Sequence, residues 1–428
     1  MKPKLKLNFN WVMQVLFLAG LLSACGGRSE IPKTPPAVHT PTPTSVPLQA
    51  PYRGAFEAIW EKLEGEFIYF DLMVSELESL YDQYQPQVIE VTDEQAFAML
   101  IGNILSELPS GSARWRSRQE RLAAELAGED SSYQGIGAYV TYRELPEPHV
   151  VLLEVMQGSP AETAGLRGRD SIYAIDGQVI IAEEGMQVVR RIRGPAGSKV
   201  TFTVETPGQV RRQVTVTRGE VSPQSRRIEM DYIKDTDVIL ASLPHQSYSG
   251  MDVDFLALYQ ILAQERRVVA VVIDLRIASS GSNWPLIALL TMFTDGNIGR
   301  TYTRSSSTPI RLTGEDYYGS QRVPVVILVG PDTTGFPEIF AASMQVDGRA
   351  LVIGQPTPGL IEGAETFLLP DGSELTLATI TFATSDGRQI GLTGVAPDVI
   401  LDSLWEAQNP QNDPLLAAAL DLISTMEP

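Results

Sequence analysis

The chain has 428 residues, 43% hydrophobic and 20% charged, with a formal net charge of −19 and a single cysteine. This length predicts roughly two to three domains, with enough apolar residue for several cores. The acidic balance argues against nucleic acid as a partner, and one cysteine excludes a disulfide within the chain. The histidines, His39, His149 and His245, are too scattered for ligand spacing, and no glycine-rich phosphate loop is present, so neither metal nor cofactor is expected.

Lys2, Lys4 and Lys6 form a basic head, and an uncharged, mostly apolar run follows over 11–22. The run is too short to be a good membrane span and reads as part of a signal peptide over 1–24. Leu22-Ser23-Ala24-Cys25-Gly26 resembles the bacterial lipobox, which implies cleavage before Cys25 and lipidation of its thiol. The expectation is an extracytoplasmic protein, anchored to the bacterial cell membrane by its N-terminal lipid. Residues 25–51, with the lipidated Cys at their head, are rich in Pro and Thr and read as an extended tether.

A helical N-terminal domain is expected over 52–130. Phe56, Ile59, Trp60, Leu63 and Phe67 recur at helical spacing, as do Ala96, Met99, Leu100 and Ile104. Thr92-Asp93-Glu94-Gln95 reads as a capping box with Thr92 as the cap.

Over 131–221 the chain carries Tyr133-Gln134-Gly135-Ile136-Gly137-Ala138, then Gly158-Ser159-Pro160-Ala161-Glu162-Thr163-Ala164-Gly165-Leu166, then Ile172-Tyr173-Ala174-Ile175-Asp176-Gly177. These stretches resemble a PDZ domain. The resemblance implies that backbone N–H groups of Gly135, Ile136, Gly137 and Ala138 receive a peptide's terminal carboxylate, while the peptide adds a strand to the sheet edge. Residues 186–192 are the expected groove helix. Arg169 stands where the family's turn glycine is usual, and Gly168 beside it is expected to carry the positive φ.

Residues 222–404 alternate apolar runs with helical patterns, which predicts an α/β core. Strands are expected over 238–243, 268–275, 324–329 and 350–354, and helices over 284–293 and 337–345. The 324–329 run is unbroken and apolar, as suits a strand buried on both faces. Asp371-Gly372 marks a hairpin turn, and a helical tail is expected over 405–428.

Thr333-Thr334-Gly335-Phe336-Pro337-Glu338-Ile339 and the stretch 348–364 resemble the C-terminal processing peptidases, or tail-specific serine proteases. The family reads like S-A-S-A-S-E-I, then G-R-A-x-V-x-G-x-x-T-x-G-K-G-x-x-Q. Asp274-Leu275-Arg276-Ile277-Ala278-Ser279-Ser280-Gly281 resembles its D-L-R-x-N-x-G-G motif, and the likeness extends from about residue 56 to 401. It implies a multidomain α+β and α/β fold: a helical N-terminal domain, a PDZ-like β-rich domain, and a protease-like α/β core with a β-strand extension.

The same register places the family's nucleophilic serine on Gly335, its general-base lysine on Leu360 and its supporting glutamine on Ala364. The oxyanion-binding N–H groups fall on Gly281 and Phe336. The last lysine in the chain is Lys234, so no displaced lysine follows within the core. Thr333, Thr334 and His245 are the weak rescue candidates, read instead as helix caps and a loop histidine. The expectation is a catalytically inactive relative that binds peptide or protein C-termini. The alternative is an active serine-type peptidase with a displaced nucleophile and base.

Overall fold

The computed structural model describes residues 51–127, 132–222, 226–279, 284–408 and 412–426. The expected signal peptide, Cys25 and nearly all of the tether lie outside the described residues, as does Gly281. Residues 49–428 form one compact unit. The architecture is a multidomain α+β fold with several sheets.

The centre is a six-stranded sheet in the order Glu229–Tyr232, Val238–Ser242, Ala270–Asp274, Val325–Val329, Ala350–Gly354, Val399–Ile400. The first pair is antiparallel and the rest are parallel. Side chains alternate along each strand, so Ile239, Val271, Ile273 and Ile327 pack on one face beneath the helices Met251–Glu265, Leu286–Phe293 and Phe336–Val346. Val272, Val326, Leu328 and Ile353 pack on the other, against the helix Pro414–Thr425. Burial on both faces is why these strands are continuous apolar runs.

The N-terminal helices Arg53–Glu66, Val74–Val88 and Glu94–Ser106 share a core with Leu375 and Leu377. Those leucines lie on Glu374–Thr384, the long strand of a five-stranded sheet that also pairs with Gly363–Leu368 and Gly296–Tyr302. Ala113–Arg116, expected to be helical, is a strand paired with that same element. The Thr92 cap is also corrected. Asp93 is the N-cap, and its carboxylate accepts the Ala96 N–H at 2.8 Å.

The PDZ-like module is a sheet in the order Ala138–Arg143, His149–Val155, Ser171–Ile175, Lys199–Glu205, Arg212–Thr217. Its groove helix is broken. Ala182–Val188 is a 3-10 turn interrupted at Gly185, and only Val189–Ile192 is α-helical. Arg169 itself takes the positive φ, at 76°, and Gly168 does not. Gly168 serves close approach instead, because a Cβ there would stand 3.1 Å from the Leu153 carbonyl oxygen and 3.3 Å from the Trp405 ring.

Candidate functional site

The parallel strands of the core all end on one side, and the chain segments leaving them make the site. Isolated bridges link Gln246 to Ser279 and Ser279 to Thr334, extending the sheet past Ser242, Asp274 and Val329. Thr333 is fully buried. Its Oγ1 donates to the Leu275 carbonyl at 2.8 Å and accepts the Gly330 N–H at 3.0 Å, tying two strand ends together. Thr334 donates its N–H to the Ala278 carbonyl at 3.0 Å, and its Oγ1 lies 2.8 Å from Ser279 Oγ. Neither threonine caps the helix.

Gly335 is the N-cap of Phe336–Val346, with φ 74° and ψ −130°. L side chains rarely adopt this left-handed region, so glycine suits the position. Phe336, partly exposed, is the first helical residue. Glu338 in the first turn is fully buried. Its Oε2 accepts the Gly335 N–H at 2.9 Å, and its Oε1 accepts both Thr357 Oγ1 and the Gly359 N–H at 2.6 Å. Thr357 Oγ1 in turn accepts the Val395 N–H at 2.8 Å. Burial pushes the Glu338 carboxyl above its ordinary range, and these hydrogen bonds offset part of that push.

One carboxylate therefore fixes the Gly335 turn against the segment that carries Leu360. Leu360 is 41% exposed, and its Cδ2 lies 3.7 Å from where a Cβ on Gly111 would be. Ala364 is exposed on the strand Gly363–Leu368, opposite Ala378. Between them Glu362 is held by the Tyr69 hydroxyl, and burial raises its carboxyl as well.

His245 follows the Val238–Ser242 strand. Its Nδ1 is 2.7 Å from the Ile277 carbonyl, and a carbonyl only accepts, so Nδ1 carries the proton of the neutral ring. The ring packs on Tyr139 with centroids 4.8 Å apart. Burial pulls its pKa below the ordinary value, against the Ile277 carbonyl and Glu154. The Ser279 N–H donates to the His245 carbonyl at 2.9 Å, so these two residues adjoin through their main chains. The structure thus brings the Thr334 hydroxyl to Ser279, while the His245 ring nitrogen Nδ1 is bonded to the Ile277 carbonyl.

In the PDZ-like module the Ala138–Arg143 strand is the edge of its sheet. The Gly137 carbonyl accepts the Met156 N–H at 3.0 Å while Ala138 sits opposite Val155. That is the register of a non-hydrogen-bonded pair, so Ala138 turns its own N–H outward. Ile136 is buried, and its carbonyl accepts the Ala161 N–H at 2.8 Å. Gly137 has φ 80°, and a Cβ there would collide with Ser159.

The module is clamped to the core. Arg143, at the end of the edge strand, forms ion pairs with Asp332 in the Gly335 turn and with Glu406. Glu154 accepts the His245 N–H at 2.9 Å and the Arg226 N–H at 3.3 Å. A cleft of about 350 Å³ opens between the two modules, lined by Leu153, Arg169, Leu243, Pro244 and Trp405. Sequence reasoning missed the Glu338 bridge and the Arg143 clamp. Glu338 gave a signal only as an acidic residue in a first helical turn, and Arg143 gave none.

Comparison with known proteins places three family regions on the chain. Peptidase family S41 matches over 244–401, a PDZ domain over 151–206, and the Tricorn protease C1 domain over 48–106. The carboxyl-terminal-processing protease of Picosynechococcus sp. is 27% identical over 350 residues, covering 72% of this chain and 83% of the relative. The carboxy-terminal processing protease CtpA of Bacillus subtilis is 24% identical over 335 residues, covering 77% and 69%. Among solved structures, the photosystem II D1 C-terminal processing protease aligns with a TM-score of 0.61 and 22% identity, covering 82% of this chain and 92% of that one. Mature CPAF complexed with lactacystin aligns with a TM-score of 0.56 and 14% identity, covering 87% and 99%. These likenesses to solved structures concern the fold.

Proposed function

Because this chain belongs to the C-terminal processing peptidase family and carries its PDZ domain, we propose that it uses the peptidase scaffold for binding, without hydrolysis. One observation carries the reading. Glu338, Thr357 and Gly359 hold the Gly335 turn against the Leu360 segment, while neither Gly335 nor Leu360 offers a nucleophile or a base. Acyl transfer by a serine–lysine pair needs a hydroxyl, an uncharged amine and oxyanion donors together. Buried Thr333 is committed to two strand ends, and the His245 ring is bonded through Nδ1 to the Ile277 carbonyl. Both facts weigh against a rebuilt site.

The ligand in this reading is the C-terminus of a peptide or protein, received by Gly135, Ile136, Gly137 and Ala138 and laid along the free edge of Ala138–Arg143. The anchor is the lipid on Cys25, on the extracytoplasmic side of a bacterial cell membrane. Its support is the sequence pattern at 1–25. No helix among the described residues is long and apolar enough to cross a membrane.

The test is hydrolysis of an unstructured protein by residues 49–428, beside a variant carrying Gly335→Ser, Leu360→Lys and Ala364→Gln. The unmodified protein is expected to show no turnover. Cleavage that survives repurification and disappears with Thr333→Ala, Thr334→Ala or His245→Ala overturns the reading. Activity confined to the restored variant supports it directly. Inactivity of both is compatible with the reading and means that the cleft around the Gly335 turn has changed as well.

A further inference from the structure

The loop at 135–138 has an aromatic side chain packed against its first glycine. Tyr133 starts the short strand Tyr133–Gly135, which pairs with Gly219–Val221 and fixes the Tyr133 backbone. From there its half-buried ring lies against Gly135. A Cβ on Gly135 would stand 2.9 Å from Tyr133 Cε2 and 3.2 Å from Cδ2. A side chain at 135 would therefore displace the ring, and glycine leaves it room. Arg193, just past the helix Val189–Ile192, covers the ring with its guanidinium carbon 5.3 Å from the centroid. Its Cγ would be 3.9 Å from the same Gly135 Cβ.

The ring is thereby held between the first glycine of the loop and the Arg193 guanidinium. Burial pushes the Tyr133 phenol up, while Arg193 and the backbone N–H groups of Ala138 and Gly137 act in the opposite direction on its oxygen. The Ala138 N–H is the group that the strand register already turns to the free edge. A phenol oxygen is a neutral acceptor of modest strength, and a carboxylate is a charged one that makes shorter, stronger bonds. The two compete for the same N–H groups and the same cation.

We propose that Tyr133 is a built-in occupant of the carboxylate loop, that its ring swings aside when a peptide C-terminus docks, and that Arg193 then pairs with the incoming carboxylate. This rests on the PDZ-like reading given above. The Gly219–Val221 ladder holds the Tyr133 main chain, so opening needs only a side-chain rotation. The energetic consequence is a lowered apparent affinity, since only the fraction of molecules with the ring displaced can bind. Arg193 keeps a partner in both states, the ring face when closed and the carboxylate when open. The loop is thereby tuned to acidic C-termini over neutral acceptors.

The experiment uses residues 49–428 and a fluorescein-labelled hexapeptide ending in Val-Ala-Ala, with either a free or an amidated C-terminus, read by fluorescence polarisation. Tyr133→Ala is expected to tighten binding of the free-carboxylate peptide about ten-fold, by removing the competing closed state. It should leave the amidated peptide unchanged. Tyr133→Phe, which keeps the ring and loses the hydroxyl, falls between. Arg193→Ala on the Tyr133→Ala background weakens the free-carboxylate peptide about ten-fold, the loss of a charge-assisted contact. Melting curves of each variant check that it is folded, and Tyr133→Phe serves if Tyr133→Ala is not. Equal affinity of the unmodified protein and both Tyr133 variants, with the carboxylate still preferred, overturns the occupant and leaves the PDZ-like reading intact. Failure of every form to distinguish the two peptides overturns that reading and the proposal with it.

Discussion

The Gly335 turn and the Gly135–Ala138 loop are both backbone devices at strand ends, each built around a glycine with positive φ. They differ in what surrounds the glycine. At Gly335 the supports are elaborate: a buried carboxylate, a bridging threonine and a second glycine loop, with no reactive side chain at the centre. At Gly137 the supports are two carbonyls that each accept one N–H, and the groups at the centre are the backbone N–H groups themselves. A catalytic site depends on side chains that a single substitution removes. A backbone receptor persists as long as the turn does, so recognition is the more durable of the two functions in a scaffold of this kind.

The largest effect that would break this comparison is at Glu338. Replacing it with Ala leaves the Gly335 and Gly359 N–H groups and the Thr357 hydroxyl buried without their acceptor. The expected loss is about 3 kcal/mol of unfolding free energy, read from the urea midpoint at constant slope. Burial already raises this carboxyl, so the charged form is not fully compensated, and the loss stays below the sum of the separate hydrogen bonds. A loss under about 0.5 kcal/mol, the size of an ordinary surface substitution, would mean that the turn and the Leu360 segment hold their geometry without the carboxylate.

How much of this could be read from the sequence follows the range of the interactions. The 325–329 strand, its following helix and the return at 350–354 were legible, because burial on both faces writes an apolar run and a glycine or proline marks each end. The glycine turn at 335 was legible as the break between that strand and its helix, and the structure finds Gly335 as the helix N-cap. The strand Ala113–Arg116 was not. It is set by pairing with Glu374–Leu377, and by bonds such as Trp115 Nε1 to Ser373 Oγ at 3.0 Å, between residues 258 positions apart. Arg169 misled for a local reason. Gly168 is the obvious residue for a positive φ, but close approach to the Leu153 carbonyl and Trp405 requires a glycine there for space, and the turn falls one residue later. The guanidinium of Arg169 then rests 4.6 Å from the Trp405 ring centroid and reaches the Gln408 carbonyl at 2.9 Å.

A smaller effect would sharpen the comparison by uncoupling its two halves. Arg143 joins the PDZ-like edge strand to Asp332, and both carboxylates it meets have side chains under a tenth exposed. Burial alone would lower the Arg143 pKa, but Asp332 and Glu406 more than offset it, so the guanidinium is held charged. Arg143→Ala leaves two largely buried carboxylates with lost partners, and about 2 kcal/mol of stability should go with it. In a double-mutant cycle with Asp332→Ala the two losses are expected to be non-additive, because they share one contact. Additive losses would show that the clamp does not join the modules.

The smallest effect is on the pH dependence of stability, and it reports on His245. Burial lowers its pKa in the folded chain below that of the unfolded chain. Between those two values the unfolded state binds more protons than the folded state. Stability therefore rises with pH across that window and is flat above the unfolded value near 6.5. Acidification from neutral pH through that value must charge a ring that is packed on Tyr139 and bonded through Nδ1 to Ile277, and the folded state loses stability as it does so. A glutamine at this position has no charge to acquire. The lead in melting temperature of the unmodified protein over His245→Gln should therefore shrink between pH 7.5 and pH 5.5. A constant lead would mean that the imidazole reaches water in the folded state. The buried, neutral ring that now argues against it as a working base would then have to be given up.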